Sequence, residues 1–183
     1  MSTRLQKGGR LIDRSRAATF TFNGKQLTGF AGDTLAAGLL ANDQMLMGRS
    51  FKYHRARGAV ASGAEEPNAL VNLGRGAFLE PNQRATTTET FDGLEAQSQN
   101  HWPSLEMDIG VVNNALARFL PGGFYYKTFM YPAKLWMTYE HFIRKAAGLG
   151  ATPVEADPDS YDKLNQHCDV LVVGAGPAGL VAA

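Results

Sequence analysis

The sequence predicts an α+β domain followed by the opening of an α/β unit, and three observations carry that reading. Residues 19–30 alternate polar and apolar around an Asn23-Gly24 break. Apolar residues recur at helical spacing between 109 and 146. A β-branched run at 170–173 feeds a glycine-rich turn, Gly174-Ala175-Gly176-Pro177-Ala178-Gly179.

Thr19-Phe20-Thr21-Phe22 and Gln26 to Phe30 flank Asn23-Gly24, the pair best suited to a tight hairpin turn because both residues tolerate positive φ. Two antiparallel strands are therefore predicted. Gly32-Asp33-Thr34 supplies a helix N-cap, and Leu35, Leu39 and Leu40 form one apolar stripe ending at Asn42, a left-handed stop. Strand, turn, strand and helix in that order open a β-grasp domain. Residues 49–76, rich in Gly, Ala and charge, read as a long loop interrupted by one strand at Ala69-Leu70-Val71. Thr86 to Thr90 and Leu94 to Gln97 read as two closing strands around Asp92-Gly93, completing the sheet by about residue 100.

The next section is helical. Ile109, Val112, Leu116, Phe119 and Leu120 repeat until Pro121-Gly122-Gly123, and Leu135, Tyr139, Phe142, Ile143 and Ala146 repeat until Gly148. Trp136 is read as a packing residue. Residues 151–167, with Pro153, Pro158 and the acids Glu155, Asp157, Asp159 and Asp162, read as a linker. The expected organisation is thus a β-grasp domain at 1–100, a helical segment at 101–150, a linker at 151–167 and the start of a dinucleotide-binding domain at 168–183.

Composition bounds the function. The chain has 183 residues, 44% of them hydrophobic, and a formal net charge of +1. That charge is uneven: residues 1–57 hold ten Lys/Arg against three Asp, and the remainder is acidic. The basic residues lie among Gly, Tyr, Phe and Ala without Lys-rich runs, so no nucleic-acid partner is expected. No apolar run approaches the ~20 residues needed to cross a bilayer, so no membrane partner is expected either. Gly8-Gly9 argues against reading the Arg-rich start as a mitochondrial presequence, and the expected location is the cytoplasm. The single cysteine, Cys168, excludes an internal disulfide and fits a reducing compartment. Iron–sulfur clusters of the plant ferredoxin type need several thiolates, and residues 1–167 contain none, so no iron–sulfur cluster is expected. His54, His101, His141 and His167 lack zinc-ligand spacing, and no metal site is expected.

The chemistry sits in the glycine turn. It follows an apolar strand, Cys168 to Val173, and precedes the helix formers Leu180 to Ala183, the context that makes GxGxxG informative. Gly174 permits the tight turn, Gly176 lets the backbone approach a pyrophosphate, and Gly179 lets helix and strand pack closely. Gly174, Ala175, Gly176, Pro177, Ala178 and Gly179 are therefore the candidate cofactor-binding residues. The acidic residue that reads a ribose belongs ~20 positions further on, beyond residue 183, so this Rossmann-type unit is read as truncated. No residue is nominated as acid, base or nucleophile. Arg49 to Arg57, with four fixed cations and His54, is read either as a phosphate or acidic-partner site or as a solvated, subunit-facing loop.

Gly8-Gly9-Arg10-Leu11-Ile12-Asp13-Arg14-Ser15, the Phe20 to Gly24 hairpin, Gly32-Asp33-Thr34-Leu35-Ala36, Gly48 to Arg55, Gly63-Ala64-Glu65-Glu66-Pro67-Asn68 and the GAGPAG turn together resemble the alpha subunits of the heterotetrameric sarcosine oxidase family. The resemblance implies an N-terminal domain similar to a [2Fe–2S] ferredoxin, whose ligand loop here reads Ser62 to Pro67 without cysteine. The fold expected is therefore a cysteine-free ferredoxin-like β-grasp domain kept for docking. It also implies NAD bound at Gly174, Gly176 and Gly179, with FAD and FMN elsewhere in the complex. The implied partners are beta, gamma and delta subunits, with sarcosine and tetrahydrofolate as substrates and hydrogen peroxide as a product. Two other readings remain open: an FAD-bearing subunit of an opine- or proline-type amine dehydrogenase, and a non-catalytic docking module.

Overall fold

The computed structural model describes residues 3–119, 122–123 and 131–183. Strands β1 (Asp13–Phe22) and β2 (Lys25–Ala31) form the expected hairpin, with Phe22 opposite Lys25. Asn23 and Gly24 turn it at φ 50° and 78°, the double positive φ that makes this pair suit a tight turn. Helix α1 (Leu35–Ala41) follows, capped by Thr34, whose hydroxyl accepts from the Ala37 amide at 3.2 Å. Its end differs from expectation: Asn42 lies at φ −100° and the left-handed position falls to Asp43, at φ 62°. Asn42 is instead occupied as a donor, its side-chain amide bonding Thr28 O and Gly38 O at 2.8 and 2.7 Å, which fastens the helix end to β2.

Two short strands, β3 (Gly48–Arg49) and β4 (Ala56–Arg57), pair within the segment read as loop. β5 (Leu70–Leu73), β6 (Glu80–Arg84) and β7 (Glu95–Ser98) complete a sheet in the order β2-β1-β7-β5-β6. β7 runs parallel to β1, and the other pairs are antiparallel. Thr86 to Thr90 is not a strand. Thr88 O accepts instead from the Leu35 amide, and Ala85 O, just before this segment, from the Ala36 amide, both at 2.8 Å, which satisfies donors that the first turn of α1 leaves open. The hydroxyls of Thr87 and Thr88 bond Arg84 O and end β6 there.

Phe20, Phe22 and Leu27 from the hairpin, Leu35 and Leu39 from α1, Val71 from β5 and Ala96 from β7 form the core, closed by Met47, Leu94 and Leu105. Gly38 lets α1 sit on β1, since a Cβ there would come within 3.0 Å of the Phe20 ring. Beyond residue 108 the chain is less compact. The first expected helix breaks into a 3-10 turn at Ile109–Val111, a single α turn, α2 (Val112–Ala115), and a second 3-10 turn at Ala117–Phe119, while Leu120 and Pro121 lie outside the described residues. Gly110 and two asparagines weaken its helix propensity, and Ile109, Val112 and Phe119 are exposed, so no packing compensates. α3 (Trp136–Ala146) forms where periodicity placed it and stops at Gly148, φ 70°. α4 (Pro177–Ala182) follows the glycine turn.

Candidate functional site

The six residues singled out by sequence divide between a connecting segment, Gly174 to Gly176, and the first turn of α4, Pro177 to Gly179. Gly174 adopts φ +108°, a conformation that side chains disfavour, and Gly176 is extended as the N-cap of α4 with Pro177 at its first turn. A Cβ on Gly179 would overlap the carbonyl oxygen of Gly174, so helix and turn approach as closely as only glycine permits. Above Gly176 a Cβ would meet no atom of the described residues within 4 Å. Val170, Leu171 and Val173 are exposed, and residues 168–173 join no strand among the described residues.

The basic segment is built into the fold. Arg49 is largely buried and donates to Leu105 O at 2.9 and 2.6 Å, to Glu106 O at 3.0 Å and to His54 O at 3.3 Å. His54 Nδ1 lies 2.6 Å from Asp108 Oδ2, and its ring packs where a Cβ on Gly110 would stand. Asp108 also accepts from the Trp102 and Gly110 amides at 3.1 and 3.0 Å. Burial would raise its pKa, but the hydrogen bonds from His54, Trp102 and Gly110 outweigh burial and hold the carboxyl below the usual range. Arg55 bonds Asn114 Oδ1 at 2.7 Å and stacks over Tyr53. Two of the four cations, Arg49 and Arg55, thus join residues 49–57 to residues 105–114.

A third feature escaped the sequence reading. Glu66 is buried, and its carboxylate accepts four backbone amides, from Val60, Ala61 and Asn68 at 2.7 Å and from Ala69 at 3.2 Å. Burial raises its pKa less than these four donors lower it. Its only sequence signal is a glutamate between Gly63 and Pro67 in a loop of small residues.

Comparison with known proteins places these features. A family model described as a 2Fe-2S iron–sulfur cluster binding domain matches residues 15–101. The chain is 61% identical over all 183 residues to sarcosine oxidase subunit alpha of Rhizobium meliloti, spanning 18% of that protein. It is 34% identical over 181 residues to the same-named subunit of Corynebacterium sp. strain U-96, spanning 14% of it, and 35% identical over 172 residues to that of strain P-1, spanning 13%. The chain therefore covers less than a fifth of the length of these relatives. Among solved structures, L-proline dehydrogenase from P. horikoshii aligns over 52% of this chain and 18% of its own, at 24% identity and a TM-score of 0.38.

The family match corrects two expectations: that this is a cysteine-free ferredoxin-like fold, and that no iron–sulfur cluster belongs to it. The matched family binds a 2Fe-2S cluster, and that is the cofactor to which the match points. The expectation rested on thiols, and residues 15–101 contain none, yet the family model matches that segment without them. The donors present do not suit that group. Cys168 lies outside the matched segment, no cluster of three or more His, Cys, Asp or Glu among the described residues is placed to hold a metal ion, and Glu66 fills the turn at 62–67. No helix among the described residues is long and apolar enough to cross a membrane. Along its whole length, the chain is a homologue of the amino-terminal part of the sarcosine oxidase alpha subunits.

Proposed function

We propose that the chain is the amino-terminal part of the alpha subunit of a heterotetrameric sarcosine oxidase of the cytoplasm. The complex would oxidatively demethylate sarcosine to glycine, with hydrogen peroxide and a tetrahydrofolate-bound one-carbon unit as products. The observation that supports this most is the 61% identity over all 183 residues to a protein of that name.

Within that complex these residues have a positional role. The turn Gly174-Ala175-Gly176-Pro177-Ala178-Gly179 opens a Rossmann-type domain that holds NAD. The support is local: positive φ at Gly174, open space over Gly176 for a diphosphate to meet backbone amides, and close packing at Gly179. The β-grasp domain and the segment after it serve docking to the rest of the subunit and to the beta, gamma and delta subunits. Exposed Trp102, Met107, Ile109, Phe119 and Tyr131 suit such burial. Sarcosine-dependent oxygen uptake by the purified complex, with NAD released on denaturation, is the expected result. A complex that turns over another amine and ignores sarcosine would overturn the proposal.

A further inference from the structure

The loop at 58–69 is wound around one side chain. Glu66 is 1% exposed, and each of its oxygens is used twice: Oε2 by Val60 and Ala61 from one side of the loop, Oε1 by Asn68 and Ala69 from the other. No ion pair among the described residues involves it. A buried carboxylate without a cation is costly unless dipoles replace water around it, and converging backbone N–H groups are a recognised concave site for anions. The loop is fastened at two further points, where Thr86 Oγ1 donates to Gly63 O at 2.8 Å and the Ala85 amide to Ala69 O at 2.9 Å. Ala69 is fully buried and leads directly into β5, so the order of the loop is passed to a central strand.

We infer that residues 60–69 form a four-amide anion site whose built-in occupant is the Glu66 carboxylate, and that its two anionic oxygens, which neither a neutral amide of the same shape nor a monatomic anion supplies, hold the loop. The ligand class is a monocarboxylate. With the side chain removed, the site takes a small free carboxylate such as formate. Glu66 is a positioning residue in this account, since it acts on the backbone and touches no substrate.

The test uses Glu66→Ala and Glu66→Gln in the full chain, with hydrogen exchange read on peptides spanning 58–69 and on the β1–β2 hairpin as internal reference. Glu66→Ala is expected to lose at least about tenfold protection in the loop, the loss of a charge-assisted hydrogen bond or more, while the hairpin keeps its protection. Formate should restore the loop saturably, and chloride at equal ionic strength should not. Glu66→Gln keeps the volume but turns an amide NH₂ toward two backbone donors, so it should lose protection as well and resist formate. A Gln variant that exchanges like the parent, or formate no better than chloride on the Ala variant, would overturn the inference. Should the Ala variant fail to fold, recovery of folding by formate supports the inference and its absence refutes it.

Discussion

Replacing Asp108 by Ala removes an acceptor that four groups surround. Its side chain is 1% exposed; it accepts from Trp102 N, Gly110 N and His54 Nδ1, and Arg49 Nε stands 4.0 Å away. Hydrogen bonds to a charged group contribute about 1.5–3 kcal/mol each, and breaking a buried pair costs about 3–5 kcal/mol. These contributions share one carboxylate and do not add. His54, 14% exposed, regains water when the carboxylate is gone, which places the expected loss at the lower end, about 3 kcal/mol. Asp108→Asn keeps an oxygen for the two amides but turns an NH₂ toward His54 Nδ1, which must then accept, so it should lose about 1–2 kcal/mol. Urea unfolding of the two variants, with the slope unchanged and the midpoint lowered, measures both. An Ala variant within about 0.5 kcal/mol of the parent, the range of an ordinary surface substitution, would refute the view that this carboxylate locks residues 49–57 against 102–110.

Acid should unfold the domain through the same groups. Glu66 and Asp108 both have folded pKa values below their ordinary ones, so their contribution is complete above the unfolded values, 4.5 and 3.8, and is lost as pH falls through the folded ones. Stability measured by urea titration should hold from neutrality to about pH 5 and decline below about pH 4.5; a flat profile down to pH 3 would contradict this. Gly38→Ala gains about 1 kcal/mol of helix propensity and forces a Cβ to 3.0 Å from the Phe20 ring, an overpacking that costs about 1–3 kcal/mol. A lowered thermal midpoint is expected, and a raised one would show that α1 can shift off β1.

Much of the fold was legible where local chemistry and tertiary context agree. Asn23-Gly24 demands its turn, Thr34 its helix start, and the alternation of Phe20 and Phe22 its buried face. Residues 86–90 have high strand propensity but do not form a strand: Thr88 gives its carbonyl to α1, a partner far off in sequence, and the Thr87 and Thr88 hydroxyls turn back on Arg84 O. β6, written Glu80-Pro81-Asn82-Gln83-Arg84, has no apolar alternation because it is the edge strand of the sheet. The positive φ of Gly174 and the helix start at Pro177 follow from spacing because each position has its own backbone requirement. The site around Glu66 does not, since four amides converge on it only after the loop closes, and the cofactor class of the matched family was hidden by the missing thiols.

The proposed role of Gly174 to Gly179 stands or falls with the NAD content of the proposed oxidase complex carrying Gly176→Val. A Cβ at 176 meets no atom of the described residues within 4 Å and requires no unusual φ, and under the proposed reading it fills the space through which a diphosphate would reach the amides of α4. A correctly assembled complex that has lost its NAD is the expected result. An assembled complex with a full complement of NAD would contradict it.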